Sequence, residues 1–266
     1  MDPSPDEKPN DSNPALLLET VVKKFKSPTG LVRALDSVSL TAPRGVITGL
    51  VGPDGAGKTT LMRLAAGLLR PDSGAIRVLD VDVVQHPLRV QGAIGYMPQH
   101  FGLYEDLSVR ENFDLYADLQ GMSRSRRRQR YEELLELTGL AAFGDRRSGR
   151  LSGGMKQKLG LACTLIRSPE LMLLDEPTAG VDPVARRELW AILSRLVKQE
   201  GMSVFLSTTY LDEAERCHVV SILQDGRVIF QGDPGKLSDQ QKGKTFLVKV
   251  PDTKRRVLLQ HLAHDV

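Results

Sequence analysis

The run Gly52-Pro53-Asp54-Gly55-Ala56-Gly57-Lys58-Thr59 fits G-x-x-x-x-G-K-[ST], a spacing suited to binding phosphate. Its glycines let backbone N–H groups turn inward around phosphate oxygens. A helix opening at the end of the loop adds the partial positive charge of its N-terminus. In that geometry Lys58 reaches the β- and γ-phosphates, and the Thr59 hydroxyl ligates Mg²⁺. A chance match in a chain of this length is roughly 1%, so the flanking elements matter.

Those elements are the right ones. The apolar run Val46–Val51 precedes the loop, and Lys58–Leu69 has helical spacing, closed by the turn residues Pro71-Asp72-Ser73-Gly74. Leu16–Phe25 and Ala34–Thr41 read as strands. The stretch 87–150 changes to a helical pattern, with a basic run at Arg124–Arg130 and capping-box spacing at Ser108 and Glu111. From Ser152, a helix N-cap, strands and helices alternate again. Leu171–Leu174 is wholly apolar, as in a strand buried on both faces. Asp182-Pro183 caps a helix, Ser203–Ser207 is a strand, Asp212–Cys217 a short helix, and Asp225-Gly226 a hairpin turn. Thr245–Val250 reads as a strand and Lys254–Leu262 as a helix. The return strand that would cover this pair is missing before Val266, which reads as a truncated or split copy of a longer polypeptide.

Composition narrows the class. The chain has 266 residues, 36 Lys+Arg and 33 Asp+Glu, a net charge of +3, and 41% hydrophobic residues. This is an ordinary globular balance, and it excludes disorder of the whole chain. A charge so near zero makes no demand for nucleic acid. Cys163 and Cys217 form neither a disulfide framework nor a thiolate site, which points to a reducing compartment. No apolar run approaches the ~18–20 residues that span a bilayer. Residues 1–14, rich in Pro, Asp, Asn and Ser, read as a disordered tail. His86, His100, His218, His261 and His264 lack metal-ligand spacing. No Ser-His-Asp or Cys-His arrangement stands out.

A second cluster carries a resemblance. Leu151-Ser152-Gly153-Gly154-Met155-Lys156-Gln157 precedes a helix, and about twenty residues later comes Leu171-Met172-Leu173-Leu174-Asp175-Glu176-Pro177-Thr178. With the phosphate loop, this resembles the nucleotide-binding domain of ATP-binding-cassette (ABC) transporters over residues 15–237. The extension 238–266 lies beyond it. The resemblance implies an α/β P-loop NTPase core with an antiparallel β subdomain and a helical subdomain inserted at about 87–150. It implies ATP held by Gly52, Pro53, Asp54, Gly55, Ala56, Gly57, Lys58, Thr59 and Thr60, with adenine stacked on Phe25. Mg²⁺ would be held by Thr59, Gln99 and Asp175, and Glu176 would be the base for the attacking water. Ser152, Gly153, Gly154, Gln157 and Asp182 would contact ATP held by a second cassette.

The implied role is an ATP-hydrolysing subunit of an exporter, peripheral at the cytoplasmic face of the inner membrane. Its partners would be a second cassette, as homodimer or tandem half, and an integral-membrane permease, without nucleic acid. The pattern is similar to the first half of tandem-cassette subunits of bacterial ABC-2-type drug exporters. Soluble ABC proteins acting on ribosomes or DNA carry long insertions, whereas Gln99–Ser152 holds only a short helical stretch. Two positions depart from the family. Asp54 stands where asparagine is commoner, and Thr209 stands where the family places the switch histidine. A lost hydrogen bond to a charged group costs about 1.5–3 kcal/mol, roughly 10- to 150-fold in rate. A regulatory half with little turnover is therefore the competing expectation.

Overall fold

The computed structural model describes residues 14–28 and 30–236, and everything below concerns the unit that ends at Pro234. The expectations for residues 1–13 and for 238–266, including Thr245–Val250 and Lys254–Leu262, lie outside the described residues.

Burial on both faces shapes the main sheet. The strands β3 (Ile47–Val51), β7 (Leu171–Asp175) and β8 (Ser203–Thr208) are buried at every residue. Such strands need helices on both sides. They are flanked by β6 (Ile94–Met97) at one edge and by β9 (Val219–Gln224) and β10 (Arg227–Gly232) at the other. The order is β10-β9-β3-β8-β7-β6, with only the β9–β10 pair antiparallel. The helices α1 (Lys58–Ala65), α5 (Gly153–Thr164) and α6 (Pro183–Glu200) pack against it. At the β9–β10 turn Asp225 and Gly226 have φ of 48° and 74°, the paired positive values of a type I′ hairpin.

A second, antiparallel sheet runs β2-β1-β4-β5, from β1 (Leu16–Ser27), β2 (Gly30–Ala42), β4 (Ser73–Val78) and β5 (Val81–Asp82). Arg227 on β10 donates to Asp36 on β2 at 2.6 and 2.9 Å, and Gln231 Nε2 donates to Thr41 O at 2.7 Å. These contacts tie the two sheets together. The α/β class and the antiparallel β subdomain match the expectation.

The boundary of the helical segment differs from 87–150. α2 (Pro87–Ala93) leads straight into β6, an edge strand of the main sheet, so the all-helical part begins only at α3 (Val109–Leu119) and continues through α4 (Arg124–Thr138). Ile94–Met97 is too short for its period to separate strand from helix. α1 also ends at Ala65, short of Leu69, and the turn-like Ser73-Gly74 already belongs to β4. The basic run divides as well. Arg127 donates to Met122 O and pairs with Asp118, and Arg130 donates to Leu165 O, while Arg124, Arg126 and Arg128 are exposed.

The capping box at α3 is complete. Ser108 Oγ accepts from Glu111 N at 3.2 Å, and Glu111 Oε2 accepts from Ser108 N at 2.7 Å. That second bond holds the Glu111 carboxyl below its ordinary pKa. Ser108→Ala should lower stability by about 1 kcal/mol, read as a shift of the urea midpoint at unchanged slope. An unshifted midpoint would show that α3 is held by packing alone.

Candidate functional site

The phosphate loop joins β3 to α1, and its shape requires glycine at two positions. A Cβ at Gly52 would lie 2.2 Å from Leu223 O, and one at Gly57, where φ is 107°, would lie 2.5 Å from Ala34 O. The loop is tied to β8, because Gly52 N donates to Thr208 O at 3.3 Å. α1 starts with no side-chain cap, so its first-turn N–H groups remain free to meet an anion.

Lys58 is nearly buried and folds back over the loop. Its Nζ donates to Gly52 O at 2.9 Å and Pro53 O at 3.0 Å, and it pairs with Glu176 Oε1 at 3.0 Å. Gln99 Nε2 donates to the other carboxylate oxygen of Glu176 at 3.1 Å. The Glu176 backbone has φ of 50°, uncommon for a residue with a side chain. Its N–H, donated to Ser207 Oγ at 3.0 Å and Ser207 O at 3.2 Å, holds that conformation. Ser207 Oγ in turn donates to Asp175 Oδ1 at 2.6 Å. Asp175 is buried and its Oδ2 has no hydrogen-bond partner. A buried carboxylate oxygen left bare is costly, which fits a place beside a cation or its water shell.

Lys58, Gln99 and Glu176 line an open cleft of about 440 Å³ with Asp54, Gly55, Gly57, Thr59 and Thr60, whereas Asp175 and Ser207 are buried and do not reach its wall. The far wall had no motif to announce it. Val32, Arg33 and Ala34 come from β2, and Asp225 and Gly226 from the hairpin turn. Arg33 and Lys58 face Asp54, Glu176 and Asp225, so three carboxylates share the cleft with two cations. Arg33 Nη1 donates to Asp36 Oδ1 at 2.6 Å. Arg227 and then Arg33 hold the Asp36 carboxyl below the usual range. Phe25 does not line the cleft, but it is 39% exposed and pairs across β1–β2 with Val32, which does.

The remaining expected residues lie elsewhere. Ser152 caps α5 by accepting from Met155 N at 3.3 Å, and Asp182 caps α6 by accepting from Val184 N and Ala185 N, both at 3.0 Å. Gly154 lets these two helix starts meet, since a Cβ there would lie 2.3 Å from Ala185 Cβ, whereas Gly153 faces open space. None of Ser152, Gly153, Gly154, Gln157 and Asp182 lines the cleft. Thr209 occupies the bend after β8, half-buried, and does not line the cleft either. Burial pushes both thiols up, that of Cys217 to about 12, so neither is a nucleophile near neutral pH.

Comparison with known proteins adds an independent line. The family model described as "ABC transporter" matches residues 35–179. The probable multidrug ABC transporter ATP-binding protein YbhF of Escherichia coli K12 is 51% identical over 227 residues, 85% of this chain and 39% of that protein. The daunorubicin/doxorubicin resistance ATP-binding protein DrrA of Streptomyces peucetius is 36% identical over 95% of this chain and 76% of its own length. Among solved structures, the ATP-binding cassette MJ0796, a dimer in a post-hydrolysis state with ADP and Pi, is 26% identical with a TM-score of 0.75, over 82% of this chain and 98% of that one. The cbiO1 protein of Clostridium perfringens, part of the cbiONQ transporter complex, is 27% identical with a TM-score of 0.77, over 87% and 93%. The chain thus spans about 39% of the length of YbhF.

Proposed function

This chain belongs to the ABC transporter family, and from that premise we propose that it is a cassette that binds and hydrolyses ATP to drive a separate membrane permease, in the direction of export. The observation that carries the reading is the cleft itself. A glycine loop, a buried lysine, a helix N-terminus and Glu176 at the end of β7 converge on one space, with the buried Asp175 next to Glu176 in the chain. The names of YbhF and DrrA, a multidrug transporter and a drug-resistance protein, support export. Among the described residues no helix is long and apolar enough to cross a membrane.

In this reading the loop N–H groups and α1 receive the phosphates, and Lys58 leaves Gly52 O and Pro53 O for the β- and γ-oxygens. Thr59, Asp175 and Gln99 would hold Mg²⁺, a hard cation that takes oxygen ligands. Bound Mg²⁺ would neutralise charge on the β- and γ-phosphates. Glu176, steered by Gln99, accepts the proton of the attacking water. Phe25 and Val32 offer a face for adenine. The starts of α5 and α6, which do not line the cleft, would close on the nucleotide of a second cassette. Thr209 favours a second version of the same function, in which this chain turns over slowly and completes the active site of a partner cassette.

The test is equilibrium binding of MgATP, ADP and AMP to the purified chain beside Lys58→Ala. ATP should bind far more tightly than AMP, and Lys58→Ala should weaken ATP at least tenfold, the loss of a charge-assisted contact. Equal affinity for AMP and ATP, or an indifferent Lys58→Ala, would remove the cleft from the argument.

A further inference from the structure

Outside the cleft, one buried acidic side chain belongs to none of the roles above. Glu213, in the short helix α7 (Leu211–Ala214), is fully buried. An ionised carboxylate at such a depth needs partners. Its Oε2 accepts from Thr208 Oγ1 at 2.7 Å, and Thr208 Oγ1 itself accepts from Tyr210 N at 3.0 Å. Its Oε1 makes no hydrogen bond but lies 3.7 Å from Arg186 Nε, which is also buried without one. The Arg186 guanidinium stacks on the Tyr210 ring, 4.1 Å from its centroid, and lies 3.8 Å from Asp212. Arg186 is in the first turn of α6, where its N–H donates to Asp182 O at 2.9 Å.

The two ends of this cluster touch different parts of the molecule. Thr208 O receives Gly52 N, the first residue of the phosphate loop. Asp182 stands against Gly154 at the start of α5, where a Cβ would be 3.5 Å from Asp182 Oδ2. Thr209 directly follows Thr208 in the chain. We propose that Arg186 and Glu213 are positioning residues, which fix the segment Thr208–Glu213 between the phosphate loop and the start of α6. The proposal rests on the cleft hydrolysing ATP as argued above. Neither residue lines the cleft, so each acts on the reaction by holding Thr208 and Thr209 in place.

The chain carries its own reporter. Its single tryptophan, Trp190, is buried one turn beyond Arg186, with Arg216 over its ring at 5.9 Å, and Arg216 N donates to Glu213 O at 3.1 Å. Its emission therefore reads the junction between α6 and the segment after Glu213.

The experiment measures ATP affinity, steady-state phosphate release and the change in Trp190 emission on adding MgATP, for the parent, Arg186→Gln, Arg186→Lys, Glu213→Ala and Glu213→Gln. The expected result is a fall in kcat of tenfold or more in Arg186→Gln and Glu213→Ala, with ATP affinity within twofold of the parent. Their Trp190 response should be lost. Glu213→Gln, which keeps an acceptor for Thr208, and Arg186→Lys, which keeps the charge, should recover most of both. If Glu213→Ala does not fold, the Arg186 pair carries the comparison.

Variants that match the parent in kcat and emission overturn the proposal, as does a loss of affinity in proportion to rate, which marks a merely structural role. A parent that binds ATP with neither turnover nor a Trp190 response also overturns it. A parent that binds no ATP refutes the function proposed above, and this inference goes with it.

Discussion

Glu176→Gln is expected to lower ATP turnover by about 10²–10⁴-fold, the usual contribution of a positioned general base, while making ATP bind more tightly. The two effects have one geometric cause. The Glu176 carboxylate holds Lys58 Nζ at 3.0 Å and Gln99 Nε2 at 3.1 Å. Incoming phosphate must draw Lys58 away from that partner, and it meets the carboxylate charge in the same cleft. Glutamine keeps the shape and an acceptor for Lys58 but removes the charge. Easing a repulsion of about 1–2 kcal/mol, typical of charges several ångströms apart in a partly solvated site, should tighten ATP roughly 5- to 30-fold. Displacement of a fluorescent nucleotide reads the affinity, and phosphate release reads the rate. Turnover within tenfold of the parent would assign the base elsewhere. Weaker binding would mean that Glu176 helps to hold the nucleotide and does not compete for Lys58.

That competition has no signature in the sequence. Gly52–Thr59 is legible because its chemistry is local: eight consecutive residues make the loop, and a strand and a helix must flank it. The N-caps at Ser108, Ser152 and Asp182 and the turn at Asp225-Gly226 are local too, and all four are formed. The contact between Gln99 and Glu176 spans 77 positions, and pairs of this kind are set by strand order. Because β7 lies between β6 and β8, the end of β6 brings Gln99 to Glu176, and the end of β8 brings Ser207 to Asp175. Arg33 joins the cleft for a similar reason. β2 belongs to the other sheet, and bonds such as those from Arg227 to Asp36 and from Asp36 N to Gly226 O set it beside the hairpin turn on the same wall. Ile94–Met97, read within a helical stretch, shows the converse. Four residues carry too little period to declare a strand, and pairing with Leu171–Leu174 makes them one.

Thr209→His is expected to raise phosphate release by roughly 10- to 150-fold, the rate equivalent of restoring a hydrogen bond worth about 1.5–3 kcal/mol to a charged group. The two side chains differ in reach. Thr209 sits at the bend just after β8, beside Ser207 and Thr208, whose hydroxyls are committed to Asp175 and Glu213. Its own short side chain does not line the cleft. An imidazole at the same Cα extends further, and as His⁺ it adds charge opposite the γ-phosphate. The substitution leaves the phosphate loop untouched, so ATP affinity should change far less than rate. Phosphate release is compared for parent and Thr209→His, with Glu176→Gln as the blank. A large gain shows that the parent site is degenerate and that a partner cassette must supply the efficient one, with Ser152, Gly153 and Asp182 of this chain completing it. If the parent already matches the histidine variant, this fold compensates the threonine locally and two copies of the chain suffice for turnover.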